Sequence, residues 1–204
     1  MTPDYWLRAK RALVRRDPVL ARIIRAHPRI ALAQRGEPFR TLARSIVGQQ
    51  ISVKAAESVW NRVLALAPDA SAQQMLKARR RLPACGLSQR KAEYIADLAR
   101  HFVDGSIHAR DWPQMDDEAV IAELIQVRGI GRWTAEMFLM FNLLRPDVLP
   151  LDDLGLQRAI ELHYFDGERA TRERMRELGA SWAPWRSVAT WYLWRSLDPV
   201  PVEY

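Results

Sequence analysis

The sequence predicts an all-α fold, and three observations carry that reading. Apolar residues recur at helical spacing along most of the chain, strand-like alternation is nearly absent, and capping residues and prolines stand where helices should begin and end. Residues 4–16 form an arginine-rich amphipathic segment, and Pro18 allows a second helix to start near Val19. Residues 38–47 place Phe39, Leu42, Ile46 and Val47 on one face, with Gly48 as a C-terminal stop. Ser52 suits the N-cap of a helix running to about Ala67, with an apolar stripe of Val59, Trp60 and Val63, and Pro68 ends it. Further helices are expected at 71–80, 88–104, 117–126, 132–144 (stopped by Arg145-Pro146), 154–164 and 184–197, with Pro184 in the first turn of the last. The connections are short, and no repeat or low-complexity tract interrupts them. Within a single unit, 1–204, this predicts two helical lobes with a groove between them. One is 38–144, containing a hairpin at 117–144; the other is 1–37 plus 145–204.

Composition excludes several classes. Of 204 residues 49% are apolar, which argues against disorder. Cys85 is the lone cysteine, so the chain cannot build an intrachain disulfide or a four-cysteine zinc or iron–sulfur site by itself. His27, His101, His108 and His163 are scattered without metal-ligand spacing. No apolar run reaches the roughly 18 residues that span a bilayer, and the opening Met1-Thr2-Pro3-Asp4 does not resemble a signal peptide. A soluble cytoplasmic protein, without membrane partners and monomeric, is the expectation. The formal net charge is +7, with basic clusters at Arg8-Lys10-Arg11-Arg15-Arg16, Lys77-Arg79-Arg80-Arg81 and Arg90-Lys91. Such a balance favours a polyanionic partner through release of condensed counterions, although a solvated arginine-rich surface accounts for the charge equally well.

The first chemically informative segment is Leu124-Ile125-Gln126-Val127-Arg128-Gly129-Ile130-Gly131-Arg132-Trp133-Thr134-Ala135. One helix ends, Gly-Ile-Gly makes the turn, and the next helix begins at once. Glycines remove side chains where the backbone must bend and approach another molecule, and free N–H groups at a helix start can donate to a phosphate. Ile130, between them, should plug the hairpin into its own helices. This hairpin resembles that of the helix-hairpin-helix DNA glycosylases, and Gly129 to Ala135 resembles their DNA-3-methyladenine glycosylase II branch. Three further stretches share the resemblance: Ile46 to Ala56 is similar to the family's wedge region, Pro150 to Leu156 to its catalytic segment, and Trp182 to Ser187 to the start of its C-terminal helix. Together they cover roughly residues 38–197, in the compact form that lacks the β-rich domain of longer members.

The resemblance implies a DNA repair enzyme that flips alkylated purines out of double-stranded DNA, hydrolyses the N-glycosidic bond and leaves an abasic site. No cofactor is required. Asp153 maps to the catalytic acid. Read alone it is an aspartate opening a helix, where the helix dipole favours the ionised form, and a carboxylate can stabilise an oxocarbenium-like sugar and orient water. Asp152 is expected to support or cap. Gln50, with Gln49 beside it, maps to the intercalating position, and Gly129, Gly131, Arg132 and Thr134 to the DNA-binding hairpin. Related enzymes that also cut the backbone carry a lysine where this chain has Trp133, which implies a monofunctional enzyme. Of eight tryptophans, Trp133, Trp182 and Trp185 are expected to form an electron-rich base pocket for a cationic base, while Trp191 and Trp194 read as core. Hairpins of this family hold a monovalent cation, Na+ or K+, on backbone carbonyls, here those of Ile125, Val127 and Gly129. The rival reading is a non-catalytic hairpin module that binds DNA.

Overall fold

A computed structural model describes residues 2–28 and 31–197. It contains α1 (Trp6–Arg16), α2 (Pro18–Ala26), α3 (Pro38–Gly48), α4 (Val53–Leu66), α5 (Ala72–Ala78), α6 (Gln89–Asp104), α7 (Asp117–Leu124), α8 (Arg132–Phe141), α9 (Leu154–Tyr164), α10 (Arg172–Ala180) and α11 (Arg186–Leu197). Short 3-10 turns occupy Leu82–Cys85 and Trp112–Gln114, and there is no strand among the described residues. None of these helices is long and apolar enough to cross a membrane.

The helix starts follow side-chain chemistry. Ser52, Ser71, Ser88, Asp116 and Thr171 each accept a backbone N–H two or three residues into the following helix. Glu37 caps α3 by accepting from the N–H groups of Phe39 and Arg40, with Pro38 in the first position. Several boundaries differ from the sequence expectation, α1 starting at Trp6 and α5 ending at Ala78 among them. Helix α7 stops at Leu124 and α8 at Phe141, each a few residues early. Pro184 lies ahead of α11 rather than in it, in a turn closed by the Trp185 N–H on the Trp182 carbonyl, and its peptide bond to Ala183 is cis. Helix α10 is an addition: its stretch RERMRELGA buries only Met175 and Gly179, too little apolar signal to mark a helix.

The chain divides into two compact units, one spanning Arg35–Phe138 and the other joining the residues up to Gln34 to those from Leu139 onward. In the first, α3 and α6 bury Phe39, Leu42, Ile46, Ile95 and Leu98. An edge-to-face aromatic run from Phe39 through Phe102 and Trp112 to Phe138 continues this core, with centroid spacings of 5.3, 6.1 and 5.1 Å. The indole N–H of the fully buried Trp112 donates to Glu123 at 2.7 Å, so the ring is buried without orphaning its donor.

The second unit buries Leu13, Leu20, Ile24, Leu156, Ile160 and Val188, and with them the side chain of Asp17. Its Oδ1 accepts the Leu20 N–H at 2.9 Å and caps α2, while its Oδ2 accepts from Tyr164 at 2.8 Å and from the Trp182 indole at 3.0 Å. One side chain therefore ties α2, α9 and the turn before α11. Burial together with the Asp17 charge drives the Tyr164 phenol far above its ordinary range, so it stays a donor. Replacing Asp17 by Ala removes a cap and strands a buried indole donor and a half-buried phenol. Asp17→Ala should cost about 3 kcal/mol in urea unfolding, with the slope unchanged.

Candidate active site and DNA interface

In the Arg35–Phe138 unit, two turns carry the features singled out in the sequence. Helix α3 ends with the Gln49 N–H on the Ile46 carbonyl at 3.4 Å, and Gln50 follows in the left-handed region at φ 58°. Glycine is the usual residue there; glutamine costs about 1 kcal/mol of backbone strain and leaves an exposed amide at the tip of the turn. Strain held at an exposed polar side chain is the kind of outlier that marks a functional position. Ser52 then starts α4.

The second turn is the hairpin between α7 and α8. Val127 and Ile130 are buried, and they seat the turn on its own helices. Gly129 has φ 87°, and a Cβ there would lie 2.1 Å from the Tyr94 ring of α6. Glycine is thus required twice over, by conformation and by contact. Gly131 is different: its φ is ordinary and a Cβ would meet nothing within 4 Å. What glycine supplies at 131 is open space beside the N-terminus of α8. The first backbone bond of that helix runs from the Ala135 N–H to the Gly131 carbonyl at 3.1 Å, and the N–H groups ahead of it lie at the end of the helix that favours an anion. The Gln49 side chain joins the two turns by donating Nε2 to the Gly129 carbonyl at 2.9 Å. Beside this junction lies a cavity of about 440 Å³, lined by Gln49, Gln50, Ile51, Val53, Trp133 and Met137 among others.

In the second unit, Asp153 is the N-cap of α9. Its Oδ1 accepts the Leu156 N–H at 2.7 Å and also the Trp194 indole N–H at 2.7 Å. The carboxylate is 7% exposed, enclosed enough for both bonds to act in a low local dielectric. Trp194 is itself held by a parallel stack on Phe141 at 5.9 Å and an edge contact with Trp191 at 6.5 Å. Gly155 makes the approach feasible: a Cβ there would stand 3.1 Å from Asp153 Oδ1 and 3.3 Å from Trp194 Cδ1.

Residues 43–184 match the sequence pattern of the HhH-GPD superfamily of base excision DNA repair proteins. The chain belongs to the HhH-GPD superfamily. A Bacillus subtilis relative, provisionally named a DNA-3-methyladenine glycosylase, is 41% identical over 54% of this chain, and the chain spans only 39% of that relative's length. Two solved structures are similar over nearly all of it. A DNA-3-methyladenine glycosidase from Bacillus halodurans superposes with a TM-score of 0.86 at 35% identity, covering 93% of this chain and 89% of its own. A Schizosaccharomyces pombe 3-methyladenine DNA glycosylase in complex with abasic DNA gives 0.81 at 28% identity, covering 96% and 100%.

Within this HhH-GPD chain several side chains occupy places other than those expected. Trp182 is fully buried with its N–H on Asp17 and its ring tilted against Tyr164, so no base can stack on it without unpacking the unit. Trp185 is half-buried and already stacked on Tyr5 at 5.8 Å, with the Arg8 guanidinium 5.2 Å from the ring centre. The Arg132 side chain is committed to Glu118 and, at 3.0 Å, to Glu136, and the Glu118 bond pushes the guanidinium further above its ordinary range. Thr134 is buried as well, leaving its backbone as the group nearest the helix start. Asp152 caps nothing: Asp153 is the cap, and Asp152 pairs with Arg172 at 2.7 Å on the surface. Of the carbonyls expected to face a cation, Val127 already accepts the Ile130 N–H at 3.1 Å and Gly129 accepts Gln49, each keeping a second lone pair. Among the described residues no group of His, Cys, Asp and Glu could hold a metal. The residue that sequence reasoning missed is Trp194. Its Trp191/Trp194 spacing signals one helix face, but not which indole turns to the acid.

Gly129→Ala should destabilise the protein by about 2–4 kcal/mol in thermal melts, combining left-handed strain with overpacking against Tyr94. Adding Tyr94→Ala should restore only the steric share.

Proposed function

We propose that the chain is a monofunctional DNA glycosylase that removes alkylated purines of the 3-methyladenine and 7-methylguanine type from double-stranded DNA. The observation that carries this is the buried Asp153 carboxylate, held on one oxygen by Leu156 and Trp194, in a chain of this superfamily. The names of its similar structures support the same substrate class.

Methylation at N3 of adenine or N7 of guanine makes the base cationic and a good leaving group, so cleavage needs no general acid. The flipped nucleotide is removed from the stack at a cost of a few kcal/mol, and Gln50 fills the gap it leaves. Trp133 offers an aromatic face for the cationic base, worth roughly 0.5–2 kcal/mol. As the glycosidic bond lengthens, positive charge grows on the sugar, and the fixed Asp153 carboxylate stabilises it and orients the attacking water. The Asp153–Trp194 bond leaves that carboxylate little reorganisation to undergo during reaction. Trp133 supplies no amine, so no imine with the sugar forms there and the product is an abasic site. N–H groups at the start of α8 hold a backbone phosphate, and the carbonyls of Ile125, Val127 and Gly129 are the seat for a monovalent cation. The chain acts as a monomer in the compartment that holds the DNA. The non-catalytic module has no observation in its favour that the enzyme does not also explain.

Free base released from methylated duplex DNA tests this directly. Wild type should release 3-methyladenine, and Asp153→Asn should lower the rate about a thousandfold while DNA binding persists. Asp152→Asn should stay within about threefold of wild type, because an exposed ion pair contributes little. Tight binding without release of any alkylated base would overturn the enzyme reading.

Trp194→Phe keeps the stack on Phe141 and deletes the bond to Asp153. Single-turnover base release should fall roughly ten- to a hundredfold, with the unfolding midpoint moved only slightly.

A further inference from the structure

Helix α6 contacts both turns of the DNA interface through residues spaced three apart. Near its start, Lys91 is half-buried, and its Nζ donates to the Val47 carbonyl at 2.8 Å and the Gln49 carbonyl at 2.6 Å. One turn on, the Tyr94 ring fills the space against Gly129. One turn further, the buried Asp97 accepts the Arg128 N–H at 3.0 Å.

Lys91 is the unusual member. A lysine ordinarily extends into solvent or pairs with a carboxylate, whereas both acceptors of this one are backbone oxygens. Val47 lies in the last turn of α3 and Gln49 is its C-cap, at the end where carbonyls lack intrahelical partners and carry the negative end of the helix dipole. The ammonium is therefore a C-cap supplied from another helix. Burial lowers the affinity of Lys91 for its proton relative to an exposed lysine. The second acceptor, Gln49, directly precedes the strained Gln50 at φ 58°, and the Gln49 side chain in turn reaches the hairpin.

We propose that Lys91 is a positioning residue for base flipping: by clamping the Val47 and Gln49 carbonyls it holds Gln50 in its left-handed turn, in register with the hairpin that Tyr94 and Asp97 fix from the same helix. The role assigned to Lys91 runs through those two carbonyls. This inference rests on the glycosylase reading for the role of Gln50, but its geometry does not depend on the chemistry at Asp153.

The test separates flipping from excision. A duplex with 2-aminopurine beside a lesion reports unstacking by fluorescence, and released base is measured on methylated DNA in single turnover. Lys91→Met keeps the aliphatic stem and deletes all donors, whereas Lys91→Arg keeps donors. Lys91→Met should lose most of the fluorescence rise and excise roughly ten- to a hundredfold more slowly, with non-specific duplex binding within about twofold of wild type. Lys91→Arg should recover most of both signals. Adding Gln50→Ala to Lys91→Met should cost little more, because both substitutions remove one function.

A folded Lys91→Met protein with wild-type fluorescence and excision overturns the proposal, as does full additivity with Gln50→Ala. Should Lys91→Met fail to fold, Lys91→Arg decides: near-wild-type fluorescence supports the clamp, and a folded Arg variant without it overturns it. If wild type unstacks the reporter but releases no base, the glycosylase reading fails, and the Lys91 arms still report on positioning.

Discussion

The constraint on which the unit holding Asp153 depends is the double use of one carboxylate oxygen. Asp153 Oδ1 accepts a backbone N–H that starts α9 and an indole N–H from α11, so one carboxylate both caps a helix and anchors an indole. From this follow the residues around it. A methyl group at position 155 would sit tightly against both partners, 3.1 Å from the Asp153 oxygen and 3.3 Å from the indole. Phe141 and Trp191 brace the indole, because a donor free to rotate would spend entropy each time it met the acid. Asp17 repeats the logic elsewhere in the unit, capping α2 with one oxygen while the other gathers Tyr164 and Trp182.

In the glycosylase reading the other unit presents backbone to an anion. Its side chains leave open space at Gly131 and crowd the chain at Gly129. Arg132, which looks like a phosphate ligand, instead ties the start of α8 to α7 through Glu118. The positive character near the hairpin is thus carried by oriented N–H groups as well as by formal charge, and such dipoles need no side-chain ordering when a phosphate arrives.

Much of this was legible in the sequence. The helices at 38–48, 53–66, 89–104 and 154–164 announce themselves because a proline, serine or aspartate sits at the start and a periodic apolar stripe follows. Asp153 was legible as an N-cap, and the hairpin as a hairpin, because both depend on local order in the chain. The tryptophans were not. Trp182 and Trp194 differ in what lies next to them in space, Asp17 in one case and Asp153 in the other, at separations of 165 and 41 residues. Composition counts indoles without revealing which N–H meets which acid. Arg132 misled for the same reason, since its partner Glu118 stands 14 residues away on a separate helix. Helix α10 was hidden by its own polarity.

The Gln49 bridge to Gly129 has a consequence for chemical ageing. The amide is held by the direction of its hydrogen bond, nitrogen donating to a carbonyl 2.9 Å away. Hydrolysis of that amide to a carboxylate leaves the shape almost unchanged but puts two acceptors face to face, and the contact turns from attraction to repulsion. At the junction between the α3–α4 turn and the hairpin, loss of a single ammonia, with no change in size, would therefore push apart elements that the fold otherwise keeps in register.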